Sequence, residues 1–186
     1  MKRPVIMLVF AVAVLAQLLV PASMIAKRET TLREGKVFKF RTAPVDPFDA
    51  FRGRYVALSY EEESRDIPVP AEWNIQRDQN VFAVIEDGDD GFARIARIDV
   101  KRPDVEDYFP VVAQYTSETN VTVFFREKRF YMDEFKAPQA EAAYREGMQD
   151  TNRSVYVTMR VKDGFGVVEN LFIDDLPMRD YLETPR

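Results

Sequence analysis

Residues 4–26, PVIMLVFAVAVLAQLLVPASMIA, carry no charge, and only Gln17 and Ser23 interrupt the apolar run. A helix rising 1.5 Å per residue covers about 30 Å of hydrocarbon over that length. The pattern therefore predicts a single membrane-crossing helix within residues 1–26. Lys2, Arg3 and the amino terminus favour a cytoplasmic start, while Lys27 and Arg28 weaken that bias. A cleaved signal peptide competes, with small residues at Val20-Pro21-Ala22 near a cut. Length and the absence of an A-x-A site favour an uncleaved signal-anchor.

A polar neck, residues 27–35, separates this segment from a change of period. KVFKFRT, RYVALSYE, NVFAVIED, FARIARIDV, VVAQYTS and NVTVFFR alternate apolar and polar residues or form short apolar runs, the signature of strands. In SVYVTMRV, Val155, Val157, Met159 and Val161 share one face, and Tyr156, Thr158, Arg160 and Lys162 the other. Asp163-Gly164 predicts a tight hairpin into GVVENLFI, with Val167, Glu169, Leu171 and Ile173 on one face and Val168, Asn170 and Phe172 on the other. DGDDG at 87–91 and SETN at 117–120 read as further turns. IPVPAEWNIQ, with two prolines and the lone Trp, reads as an ordered loop over a sheet edge. Outside the membrane segment one stretch reads as a helix, APQAEAAYREG, with Pro138 in its first turn and Gly147 at its end. The expected fold is mainly β: one N-terminal transmembrane helix, then residues 36–186 as an antiparallel β-sandwich or partly closed barrel with one short helix.

Composition narrows the chemistry. The chain has no His and no Cys, which removes Ser-His-Asp and Cys-His triads, thiol redox and the usual zinc sites. Setting aside Lys2 and Arg3 leaves 24 basic against 31 acidic residues, a formal charge of −7 beyond the membrane segment. That balance disfavours nucleic acid and an anionic lipid surface as partners. DGDDG lacks the ligand spacing of an EF-hand loop, so no metal and no cofactor is expected. Ser23-Met24 echoes the nucleophile motif of signal peptidases, but Ser23 lies inside the apolar run with no companion lysine motif.

The segment VDPFDAFRGRYVALSYE, residues 45–61, combines a helix-breaking Asp46-Pro47, a glycine that admits positive φ at Gly53, and an alternating strand from Arg54. Val56, Leu58 and Tyr60 would face one side and Tyr55, Ala57 and Ser59 the other, so the two tyrosines point apart. This segment resembles the defining motif of the GDYXXLXY family of bacterial membrane-anchored proteins, whose function is not established. Gly53, Tyr55, Leu58 and Tyr60 fall on the named positions, and Arg54 stands where the family name has Asp. The order of anchor, motif, REKRFYMDEF and VKDGFGVVENLFIDDLP is similar to the family's run over nearly the whole chain.

The resemblance implies a periplasmic or cell-surface β domain at the bacterial inner membrane, and no reaction. Asp46, Asp49, Arg52 and Arg54 are candidates for a charged rim around the motif, with packing and loop capping as the plainer roles. Phe130, Tyr131 and Phe135, beside Arg126, Lys128 and Arg129, offer a partner patch or alternate core aromatics. Gln17 offers a contact to another membrane helix. Two functions are expected: a non-enzymatic accessory or sensory subunit beside a multi-span membrane protein, or a carboxylate-based cell-envelope enzyme or glycan-binding module.

Overall fold

The computed structural model describes residues 3–44 and 55–184. Of the motif segment, Asp46, Asp49, Arg52, Gly53 and Arg54 therefore lie outside the described residues.

Helix α1 (Arg3–Glu34) contains the whole apolar run and continues without a break through the polar neck. It is long and apolar enough to cross a membrane. Pro21 lies inside it. The neck stays helical because Lys, Arg, Glu and Leu outweigh the two less favourable threonines, with Glu29 and Arg33 paired at 2.9 Å one turn apart.

Eleven strands follow among the described residues, in three antiparallel sheets. The first joins β1 (Lys36–Arg41), β9 (Val155–Lys162), β10 (Phe165–Ile173) and β11 (Leu176–Pro177), in that order. The second has the order β3-β7-β6-β4-β5, from β3 (Ile67–Pro68), β4 (Asn80–Asp87), β5 (Ala93–Asp99), β6 (Tyr108–Thr116) and β7 (Asn120–Phe124). A short third sheet pairs β2 (Tyr55–Ala57) with β8 (Arg129–Tyr131). Helix α2 (Ala137–Gln149) runs one turn's fraction past the expected stop at Gly147, and a short α3 (Met178–Glu183) was not signalled by the pattern.

The two larger sheets close on one apolar core. Phe38 and Phe40 of β1, Val157 and Met159 of β9, and Leu171 of β10 meet Val81 and Ala83 of β4, Phe109 and Val111 of β6, and Val123 of β7. The Phe40 ring stands edge-on to both Phe109 and Phe125, at 6.1 and 5.3 Å between centroids, and so ties one sheet to the other. The result is the mainly β, nearly closed arrangement that the strand pattern predicts.

The β9–β10 hairpin turns at Asp163 and Gly164, both at positive φ, with Lys162 directly opposite Phe165. One expectation about its faces needs correction. Glu169 is an extra residue in a bulge between Val168 and Asn170, so Gly166 and Val168, and not Val167, continue the face of Leu171 and Ile173. Arg160 holds the bulged residue at 2.8 Å. The second face of β9 is covered as well: Tyr156 is buried, stacked on Phe172 at 4.9 Å and edge-on to Phe92 at 5.5 Å.

The end of α1 docks on this hairpin. Thr31 is buried, and Gly35 follows with its N–H on the Thr31 carbonyl at 2.9 Å. Arg160 donates to the Gly35 carbonyl at 3.1 Å, Lys162 pairs with Glu34 at 3.0 Å, and Lys27 lies 4.6 Å over the Phe165 ring. A Cβ at Gly35 would sit 2.5 Å from the Thr31 carbonyl oxygen and 3.1 Å from that of Val161. Both are backbone atoms, so neither can swing aside. Gly35→Val is expected to destabilise the domain by about 1–3 kcal/mol through overpacking, read as a lower denaturation midpoint. A melting curve that overlays the wild type would show that the junction has slack.

Candidate functional site

The motif strand builds its site by pairing with a segment seventy residues downstream. Tyr55, Val56 and Ala57 sit opposite Tyr131, Phe130 and Arg129, and the Leu58 N–H extends the ladder to the Lys128 carbonyl at 2.9 Å. Val56, Leu58 and Tyr60 are buried and Tyr55, Ala57 and Ser59 half-buried, so the alternation read from the sequence holds in the fold. The strand itself is shorter than RYVALSYE suggests. After Tyr60, which bridges Thr42, the chain turns into a 3-10 helix over Glu61–Ser64.

Tyr60 lies at the centre of this region. Its ring stacks on Phe125 at 4.5 Å and its hydroxyl donates to the backbone carbonyl of Glu127. Burial, followed by the nearby Glu127 and Glu63 carboxyls, holds its phenol well above the usual range, so it stays a proton donor.

Two acids just after the motif, which charge counting treats as solvated, are buried. Glu63 accepts from the Phe125 N–H at 2.7 Å, from Lys128 at 2.9 Å, from the Ser59 hydroxyl at 3.1 Å and from the Tyr60 N–H at 3.3 Å. Glu62 accepts from the Ile95 N–H at 2.8 Å and from Arg65 at 2.6 Å. Glu63 is engaged at both oxygens and Glu62 at Oε2, and the two serve as cross-links between segments that sequence leaves far apart.

Glu127 differs. Its Oε2 is buried and has no hydrogen-bond partner. Burial pushes its carboxyl up to about 7, and neighbouring backbone N–H groups and the Arg126 charge offset only part of that. It lines an open cleft of about 570 Å³ together with Arg28 of α1, Arg126, Lys128, Arg129 and Tyr131 of its own segment, and residues 165–168 of β10. Gly166 packs beside it: a Cβ there would meet the Glu127 Cδ at an ordinary contact distance of 3.6 Å. A protonated Glu127 lies neutral beneath a rim of cations. That combination suits recognition of an anion.

A second cleft, of about 500 Å³, is lined by Arg41, Glu61, Glu62, Arg65, Asp90 and Arg94. Its charges largely satisfy each other: Asp90 pairs with Arg41 at 3.5 Å and Arg94 at 3.4 Å, and Arg65 with Glu62. The Phe92 N–H, ahead of Arg94, lowers the Asp90 carboxyl. Among the described residues no three acidic side chains converge as a metal set.

The aromatic run divides between the two roles expected of it. Alternation along β8 turns Phe130 into the core, leaving Tyr131 about half exposed (51%) and Phe135 nearly fully so (88%). Tyr131 lies against Tyr55 at 5.8 Å, with Arg129 5.0 Å over the Tyr55 ring. Gln17 is exposed midway along α1. Glu127 had one sequence signal, its place inside the cationic run REKR, but nothing local shows that it is buried.

Helix, sheets and cleft together define a β-rich domain carried on a long apolar N-terminal helix. The chain belongs to the GDYXXLXY protein family, whose model matches residues 17–171. No curated protein and no solved structure matches it.

Proposed function

We propose that this protein is a membrane-anchored, extracytoplasmic β domain of the bacterial inner membrane that serves a membrane protein assembly as an accessory or sensory subunit. In this reading α1 crosses the bilayer once and residues 36–186 stand outside the cytoplasm. The observation that supports it is the unbroken course of α1 from its apolar run into the β9–β10 hairpin, held there by Thr31, Gly35, Arg160 and Lys162. A flexible linker would insulate the domain from its helix. A stiff helix clamped to a sheet carries any tilt or rotation imposed by a neighbouring helix into the wall of the Glu127 cleft, because β10 forms part of that wall. A hydrolase fits less well: the Glu127 cleft presents one carboxyl, where glycoside hydrolysis needs two about 5–9 Å apart, and in the second cleft Glu62 and Asp90 are both engaged by arginines.

Purification of the full-length protein from its native membrane in mild detergent tests this reading. The expected result is a multi-span membrane protein retained in stoichiometric amount, identified by mass spectrometry. Gln17→Leu should reduce that retention severalfold and leave the melting of the domain unchanged, since Gln17 touches nothing in the domain. A protein that emerges alone, or only in the soluble fraction, overturns it.

A further inference from the structure

We propose that the cleft around Glu127 binds the anionic headgroup of a membrane phospholipid in the leaflet from which α1 emerges. The proposal rests on the reading of α1 as a membrane span and adds a ligand to it. Position comes first. Arg28 lines the cleft, and it stands two residues beyond the last residue of the apolar run, Ala26. At 1.5 Å per residue that is about 3 Å past the hydrocarbon edge, which is the headgroup layer. A site held at that height meets lipid headgroups before any soluble ligand.

Charge comes second. The net −7 beyond the membrane segment argues against an anionic surface only if it is evenly spread, and here it is not. Arg28, Arg126 and Arg129 line the cleft, and none of them pairs with a carboxylate among the described residues. Arg126 bonds the neutral Asn80 side chain, and Arg129 bonds the Tyr131 side chain and lies over the Tyr55 ring, which leaves each guanidinium with further N–H donors. Lys128 is neutralised by Glu63. Three guanidinium groups with open donors match the geometry of a phosphate ester. Lys27, over Phe165 at the rim, adds a fourth cation on the same side of α1.

Glu127 sets the pH response. Arg28 from α1 and Arg126, Lys128, Arg129 and Tyr131 from its own segment line the cleft with it, the Arg126 charge acts directly on its carboxyl, and the Tyr60 phenol lies close to both Glu127 and Glu63; residues 165–168 of β10 bring no charge. The Glu127 Oε2 is closed to solvent, so the carboxyl acts on a bound phosphate through its charge: when protonated it is neutral and leaves the arginines unopposed. When ionised, it repels the phosphate. With its carboxyl pushed up to about 7, the switch between the two falls near neutral pH.

The full-length protein, delipidated in a neutral detergent, should retain one phosphatidylglycerol per chain in native mass spectrometry, at least tenfold tighter than phosphatidylcholine. Arg28→Gln with Arg129→Gln should weaken that binding tenfold or more without moving the melting temperature. Wild-type affinity should fall severalfold from pH 6 to pH 8, and Glu127→Gln should remove that pH dependence while keeping the tighter binding at both. Equal affinity for the two lipids, or binding indifferent to the arginine pair, overturns the site. Water-soluble glycerophosphoglycerol bound as tightly as the lipid would overturn the lipid and leave a free phosphate ester as the ligand. Cell fractionation tests the membrane reading separately: protein found soluble and shortened at its start overturns the anchor, whereas lipid selectivity in detergent is measured independently of it.

Discussion

Glu63→Ala is expected to lower the stability of the domain by about 3 kcal/mol, through the loss of buried hydrogen bonds and of one half of an ion pair. The carboxylate accepts four hydrogen bonds, from Phe125, Lys128, Ser59 and Tyr60. Alanine leaves the Phe125 and Tyr60 N–H groups buried without partners. Lys128 limits the damage, because its side chain is about a third exposed and can turn to water. At roughly 2–4 °C per kcal/mol for a domain of this size, the melting midpoint should fall by about 10 °C. Glu63→Gln keeps one carbonyl for the Phe125 N–H and should lose about half as much. Glu61→Ala, two residues earlier on an exposed position, should stay within about 0.5 kcal/mol of the wild type. Equal melting of the Glu61 and Glu63 variants would mean that Glu63 is a spectator.

The contrast between these two glutamates shows which parts of the molecule a sequence reveals. Alternation and turn residues are local, so the β9–β10 hairpin, the faces of Val56, Leu58 and Tyr60, and helix α2 were all legible. Burial of Glu62, Glu63 and Glu127 was not, because each is enclosed by segments far away along the chain. Ile95 and Phe125 supply the N–H groups for Glu62 and Glu63, while α1 and β10 wall in Glu127. The Glu169 bulge escaped for a different reason: GVVENLFI alternates as well with the extra residue as without it, so only the register against β9 reveals the shift. Helix α3 covers six residues, too few for a helical period to show. In α1 the polar neck hid the continuing helix, since Thr31 is the one buried residue of its described length.

These gaps fall together in one place. The motif's tyrosines were legible as two residues pointing apart, and each is used on its own side: Tyr55 outward with Tyr131 and Arg129, Tyr60 inward on the carbonyl of Glu127. The cleft thus lies between the two outlets of a single strand. Tyr60 fixes the backbone of the residue whose side chain forms the cleft floor, which links the named motif to Glu127 without itself touching a ligand.

Stability of the domain is expected to be higher at pH 5 than at pH 8, by roughly 3 kcal/mol, and Glu127 is the cause. Its carboxyl is raised from 4.5 to about 7 by burial. Between those values the folded chain holds a proton that the unfolded chain has released. The contribution is therefore complete below pH 4.5, declines as pH rises, and is gone once pH passes 7. A shift of that size corresponds to about 3 kcal/mol at 1.36 kcal/mol per unit. The absence of histidine leaves this window clear, because apart from the α-amino group no unperturbed side chain titrates between pH 5 and pH 8. Glu127→Gln should flatten the profile across that range and, at pH 8, unfold at higher denaturant than the wild type, since a neutral amide need not be charged where Oε2 has no partner. A wild-type profile already flat between pH 5 and pH 8 would mean that water reaches Oε2 and the acid titrates as an exposed one. The cleft would then keep its arginines but lose the proton that sets their preference.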